Sequence, residues 1–495
     1  MAYPVSAHGV AGNLNQMIES NPGTPGRTRK ITLSIQKNLD RRERRSVISL
    51  ASIFGLRLLG LFLVLPVFSV YAHSLHGAHA DPALVGIALG AYGLTQAIFQ
   101  VPFGRLSDRF GRKPIIALGL FIFFIGSIIA ALSTSIGWLL AGRVIQGSGA
   151  IAAAIIALTA DLVREERWTR AMAVIGITIG VSFSISLVLS APLTHWIGVP
   201  GIFWLTAILS LLAIAVLYLV IPASPAKFHR DAELNPAMLS HVLRDPDLLR
   251  LDFGIFALHT GLTAIFVVLP LVLVGGAHPL LAMKNQWMLY LPVMLLSFIA
   301  MIPFIAIGET KRRLKEIFVF AITVLLAGVI LMAISHGSIP WIGFSLFLFF
   351  VGFNILEASL PSLIAKFSHP GAKGTATGVY TSSEFFGAFC GGLLGGLLYA
   401  PEARNYSTVF WVVAVIYALW LVLALTMRTP PYLSTRIFSL PADYRGISLE
   451  KRLVELPGVS EVAIFADENA IYCKVDSQLF SEEQAMAVLG SIQPA

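Results

Sequence analysis

The strongest constraint on this chain is the recurrence of apolar stretches long enough to cross a bilayer. A helix needs about 20 apolar residues to span the hydrocarbon core. Twelve such stretches precede residue 428, at roughly 47–72, 83–103, 114–134, 137–161, 171–194, 199–221, 251–274, 287–308, 316–335, 339–365, 374–398 and 406–427. With 56% hydrophobic and 13% charged residues among 495, and a mean hydropathy of +0.79, the chain is too apolar for a soluble core with an ordinary surface. The expected fold is an all-α membrane protein, with the lipid bilayer as its surroundings.

Charge sets the expected orientation. If successive loops alternate between the two faces, nearly all of the 35 Lys and Arg fall on the side that holds both termini. Lys284 and Arg404 lie on the other side, and Arg57 and Arg143 lie within spans. By the positive-inside rule both termini are cytoplasmic. The net charge of +8 is then topological, and no nucleic-acid partner is expected. Cys390 and Cys473 are the two cysteines, too few for a disulfide framework or a cysteine metal cluster. Residues 1–46 lack the apolar core of a cleavable signal, so the first span directs insertion. They form a basic N-terminal extension, disordered over 1–30, whose Asp40–Arg45 run abuts span 1.

Polar residues inside the apolar stretches are the next signal. Arg57 lies about ten residues into span 1, where a cation costs several kcal/mol unless it meets water or an acid. Pro66 should kink the same span. His73, His76 and His79 cluster in the external loop, but Asp81 is the one carboxylate beside them, and no metal site is expected there. His259 in span 7 lies seven residues beyond Asp252, on the same side of the helix. It lines a cavity or is satisfied by a backbone carbonyl. In span 10, Asn354 and Glu357 are three apart on one face, with Pro361 a turn later. Glu384 stands in span 11. A carboxylate in such a place suits a group that takes a proton from one side and releases it to the other, or else a structural pair. Glu384 in particular reads either as an added proton site or as a counter-ion for Arg57 or Arg143. Beyond it, Gly387, Gly391 and Gly395 form a small face for close helix packing.

Between spans 2 and 3 stands Gly104-Arg105-Leu106-Ser107-Asp108-Arg109-Phe110-Gly111-Arg112-Lys113, expected as a tight polar turn in which Gly104 and Gly111 permit left-handed conformations. Residues 309–315 repeat its basic character. The pattern G-x-L-[AS]-D-R-x-G-R-[KR] resembles the cytoplasmic signature of the major facilitator superfamily, with a complete match from Gly104 to Lys113. In span 4, Gly142-Arg143-Val144-Ile145-Gln146-Gly147-Ser148-Gly149 is similar to the R-x-x-Q-G-x-G motif of its drug:proton antiporter branch. Span 5 keeps Pro192 but lacks the glycine pair of the antiporter pattern. Leu56-Arg57-Leu58-Leu59-Gly60, Tyr92-Gly93-Leu94-Thr95-Gln96-Ala97, Phe353-Asn354 and Glu357-Ala358 extend the resemblance to bacterial members that carry a C-terminal ferredoxin-like domain. It runs from about residue 40 to 495.

The resemblance implies two six-helix bundles, 47–221 and 251–427, joined by a cytoplasmic linker, 222–250. It implies a conformational latch made of Gly104, Asp108, Arg109, Gly111, Arg112, Lys113 and Asp161. In that latch Asp108 engages the start of helix 11, near 371–374, and Asp161 pairs with Arg109, which holds the outward-facing state. The proton-coupling or cavity residues are Arg57, Arg143, Gln146, His259, Asn354, Glu357 and Glu384. Glu384 departs from the Gln of those relatives.

After Pro430-Pro431-Tyr432 the composition turns soluble. Alternation and turn residues predict β-α-β-β-α over 437–495, a ferredoxin-like module without its last strand. It lacks Cys-x-x-Cys, so a metal role is not expected; self-association or ligand sensing remain its readings. No nucleophile–base pair or nucleotide-binding motif is apparent, so neither an enzyme nor an ATP-driven pump is expected. No cofactor is expected. The functional expectation is proton-gradient-driven efflux of an unidentified small amphipathic or hydrophobic compound across a bacterial inner membrane, with a metabolite importer and a ligand sensor as alternatives.

Overall fold

The apolar stretches are helical, but the helix breaks do not all fall between spans. The computed structural model describes residues 41–75, 82–163, 168–222, 236–275, 280–335, 338–369, 372–399, 406–430, 432–440, 448–465, 470–476 and 479–490, all within the unit Leu39–Ala495. Residues 1–40 of the N-terminal extension, His76, His79, Asp81, Arg404, linker residues 223–235 and the tip of the tail hairpin lie outside them.

The first span is two helices, α1 (Arg41–Val64) and α2 (Phe68–Ser74). Pro66 supplies no N–H, and short turns at Leu65 and Val67 bridge the break. Next come α3 (Pro82–Phe110) and α4 (Arg112–Ala131). The expected polar turn is therefore a correction. Gly104 is helical and buried, α3 runs on to Phe110, and Gly111 alone, at φ 95°, turns the chain. Arg and Leu are good helix formers, so the helix extends its polar end past the apolar segment and breaks where the left-handed conformation is cheap.

The fourth span is also split, into α5 (Ile136–Ser148) and α6 (Ala152–Leu162). The break frees the Gly149 carbonyl from the helical ladder. Helix α7 (Trp168–Leu219) runs through what the sequence reads as two spans, with Gly198 at φ 69° just before Pro200 as its kink. Then follow α8 (Pro236–Val242), α9 (Pro246–Val274), a 3-10 turn at Met283–Asn285, α10 (Trp287–Thr310), α11 (Leu314–Ile334), α12 (Ile339–Phe367), α13 (Lys373–Leu398) and α14 (Ser407–Leu425). Among the described residues, ten helical runs are long and apolar enough to cross a membrane. One of them is the 46-residue stretch Val174–Leu219, and the glycine-rich α13 is not among them.

Helix α13 packs between α3 and α9. A Cβ on Gly392 would sit 2.5 Å from the Gly86 carbonyl oxygen, and one on Gly391 would run into the Thr260 carbonyl of α9. Only hydrogen at these positions allows both neighbours so close. At the membrane face away from Gly104–Lys113, Leu63, Phe68, Leu89, Phe183 and Leu187 share one continuous core with α9–α14. Toward the signature, Leu50, Phe54, Leu58, Ile116, Leu120, Ile155 and Leu158 form a core of their own. The α1–α7 and α9–α14 groups are thus joined at one face and have separate cores at the other.

The tail is β1 (Leu433–Ser439), α15 (Ser448–Val454), β2 (Val459–Phe465), β3 (Ala470–Asp476) and α16 (Glu482–Gly490). Its antiparallel sheet has the order β1-β3-β2. Phe438, Leu449, Leu453, Val462, Ile471, Cys473, Val475 and Ala485 fill its core.

Candidate functional site

Two clusters of buried polar groups lie within the helices, one in each group. In α1–α7 the centre is Tyr92, on α3. Arg57, buried on α1, donates to the Tyr92 hydroxyl at 2.8 Å, to Gln96 Oε1 at 2.7 Å and to the freed Gly149 carbonyl at 3.0 Å. Its guanidinium also lies 5.3 Å from the Phe123 ring centroid. Arg143 sits over the Tyr92 ring at 4.9 Å, donates to Gln146 Oε1 at 2.8 Å, and Gln146 in turn donates to Ser127 at 2.8 Å. Two cations therefore share one aromatic ring. Nε of each has no hydrogen-bond partner, and neither forms a salt bridge among the described residues.

In α9–α14, three helices bring His259 (α9), Glu357 (α12) and Glu384 (α13) together, with one donor atom from each within 4.8 Å of the others. His259 Nδ1 meets the Ile255 carbonyl at 3.3 Å, which makes it the protonated nitrogen and leaves Nε2 facing Glu384 Oε1 at 3.6 Å. The His259 and Glu384 side chains are only 12% and 21% exposed. Glu357 Oε2 is buried without a hydrogen-bond partner, as are the Tyr380 hydroxyl and both carboxylate oxygens of Asp252. The clusters approach each other where Tyr92 stands edge-on to Phe385, ring centroids 6.1 Å apart, next to Glu384.

At the signature, Arg112 is the hub. It pairs with Asp108, reaches Asp161 Oδ2 at 3.3 Å and donates to Ser107 at 2.9 Å. The expected Arg109–Asp161 pair is corrected here. Arg109 stacks on Phe110 at 5.3 Å, because the continued α3 carries it away while the turn at Gly111 folds Arg112 back. Lys113 donates to the Ile221 carbonyl just past α7. All of these residues lie at or before Ile221, within the first group of helices and its end, and Asp108 has Arg112 as its one ion-pair partner among the described residues.

Two further expectations change. Glu384 faces His259 Nε2 at 3.6 Å rather than Arg57 or Arg143, whose donors point into α3 and α5. Asn354 and Glu357 diverge, because Asn354 donates to Ser297 on α10 at 3.1 Å. Sequence reasoning met Tyr92 and Gln96 only within a segment that carries the family resemblance, and assigned no role to them or to Tyr380.

The tail docks on the α9–α14 group. Arg312, a non-glycine residue at φ 55°, makes a two-pronged pair with Asp476 at 2.9 and 3.2 Å. The hydrogen bond to Asp476 holds the Arg312 proton more firmly than usual. Lys474 donates to the Ser368 carbonyl at the end of α12, Glu461 pairs with His369, and Tyr432 accepts from the Leu314 N–H at 2.8 Å. Burial pushes the Cys473 thiol up to about 11, so it is an inert core group at neutral pH.

The sequence pattern of the Major Facilitator Superfamily matches residues 50–389. The inner membrane transport protein YajR of Escherichia coli is 44% identical over 449 residues, covering 90% of this chain and 97% of that one. An uncharacterized transporter of Buchnera aphidicola is 35% identical, covering 70% and 89%. Among solved structures, a bacterial homologue of the human lysosomal transporter Spinster, inward-facing and occupied, matches with a TM-score of 0.63 at 12% identity over 78% of this chain and 97% of that one. These relatives are transporters.

Proposed function

The chain belongs to the Major Facilitator Superfamily, and from that premise we propose that it is a proton-driven exporter of a small amphipathic or hydrophobic compound, working by alternating access. Counting α7 as two spans and α13 as one gives twelve, arranged as two six-helix bundles with a ferredoxin-like cytoplasmic module behind them. By charge asymmetry both termini are cytoplasmic, and by likeness to YajR the membrane is the bacterial inner one.

The observation that carries the reading is the set of buried ionisable groups on either side of the α3–α13 contact, among them Arg57 and Arg143 without a carboxylate partner among the described residues and Glu357 Oε2 without a hydrogen bond. Two arginines stand on one side and two glutamates with a histidine on the other, at depths where charge has no structural use that apolar packing would not serve better. With the cores joined away from the signature and separate near it, this conformation is open toward the signature face, which the charge rule makes the cytoplasm. The Asp108 latch to the start of α13 is then disengaged and re-forms when the bundles rock.

The test is flux in proteoliposomes under inside-acid and outside-acid gradients, after a thermal-shift screen has found a ligand. Export requires uptake into inverted vesicles driven by an acid interior. Accumulation with the opposite gradient would make the chain an importer. Glu357→Gln and Glu384→Gln should each permit ligand binding yet remove the response to the pH gradient. Full coupling in both would exclude these carboxylates as the proton carriers.

A further inference from the structure

We propose that His259, Glu357 and Glu384 form a binding site for a divalent transition-metal cation. The imidazole is set up as a metal-binding histidine usually is. Nδ1 is tied to the Ile255 carbonyl at 3.3 Å, which fixes the tautomer and turns the Nε2 lone pair away from its own helix. Nε2 and Glu384 Oε1 are 3.6 Å apart, close to the roughly 3–3.5 Å between two donors that each lie about 2.1 Å from a tetrahedral ion. The Glu357 donor lies within 4.8 Å of both, so a side-chain rotation of about an ångström completes the set.

A second observation points to a ligand. Glu357 Oε2 is fully buried and has no hydrogen-bond partner, and the same holds for the hydroxyl of Tyr380, a residue 5% exposed, which lies within electrostatic reach of Glu357 and Glu384. Buried oxygens are normally satisfied, and here the nearby arginines are committed elsewhere, to Tyr92, Gln96 and Gln146. Two carboxylates this close repel each other when ionised, and a divalent ion balances both.

One imidazole with two carboxylates suits zinc, manganese, iron or cobalt in the divalent state. Calcium and magnesium take all-oxygen shells. The three ligands come from α9, α12 and α13, and α13 also contacts α3, so ion binding draws together helices that meet the opposite bundle.

The proposal goes beyond the export reading and is tested without flux, so either can fail alone. Purified untagged chain in detergent is titrated with Co2+. The expected result is a saturable visible absorption at one equivalent per chain, displaced by Zn2+ but not by Mg2+ or Ca2+. His259→Asn and Glu384→Gln should each weaken it by at least about tenfold, with thermal melts confirming that both variants fold. His241→Ala, at the bundle's end, should retain it. Absence of the band, or a band of equal affinity in folded His259→Asn and Glu384→Gln, overturns the site.

Discussion

Arg57 shows how a single residue can be legible while its partners are not. A cation in the middle of an apolar helix has few reasons to be there, so the sequence marks it directly. Tyr92 receives its hydrogen bond at 2.8 Å, yet a tyrosine in a span looks like any other wall residue. The His259–Glu384 contact was illegible for a different reason: its members are on separate helices, and no local period connects them. Arg57→Ala should lower flux about tenfold or more, since a charged hydrogen bond contributes about 1.5–3 kcal/mol. Exposed Arg44→Ala should leave flux within a factor of two or so. The reverse order in the same vesicle assay would remove Arg57 from the transport path. At the tail contact, Arg312 is held at φ 55°. Arg312→Gly and Arg312→Ala both lose the Asp476 pair, but glycine is free of left-handed strain worth about 1–2 kcal/mol and gives some of that back as unfolded-state entropy. Calorimetry should therefore find the glycine variant more stable than the alanine one by roughly 1 kcal/mol.

At the scale of elements, α13 packs against α9 of its own group and α3 of the other. Its glycines recur at four-residue spacing, so a small face is plain in the sequence. Which helices it meets is not, because spacing says how close a neighbour can come and not which neighbour it is. The structure gives one glycine face to α9 and the other to α3. Gly392→Val would drive a branched side chain into the Gly86 backbone, where overpacking costs about 1–3 kcal/mol or more. The variant should melt several degrees lower and shift toward conformations in which α3 and α13 separate. An unchanged melting temperature would mean that the two helices do not meet this closely in the membrane. The signature teaches the converse lesson. Its motif spacing was recognisable, but the motif hid that most of it is helix, because a run of charged residues between apolar spans reads as a loop whether or not the backbone hydrogen bonds continue.

At the scale of the molecule, the two bundles share a core at one face only, and the Asp108–Arg112–Asp161 cluster is satisfied within a single bundle. In the proposed cycle, opening the other face brings the signature against the start of α13 at Lys373. There Asp108 would meet the positive end of the α13 dipole, an arrangement worth about 0.3–1 kcal/mol at an exposed helix end and up to ~2 kcal/mol when partly buried. Asp108→Asn removes the charge but keeps the shape, so it should weaken the closed-signature state by about 1 kcal/mol, a fivefold change in the balance of the two states. Spin labels on Leu106→Cys and Ala365→Cys, in a chain with Cys390→Ser, report that balance directly. The Asp108→Asn chain should show a larger share of long distances than the parent, together with a several-fold loss of flux. Unaltered distances with full flux would mean that closure at this face does not depend on the Asp108 charge, and the latch would have to be sought in Arg112 or Asp161 instead.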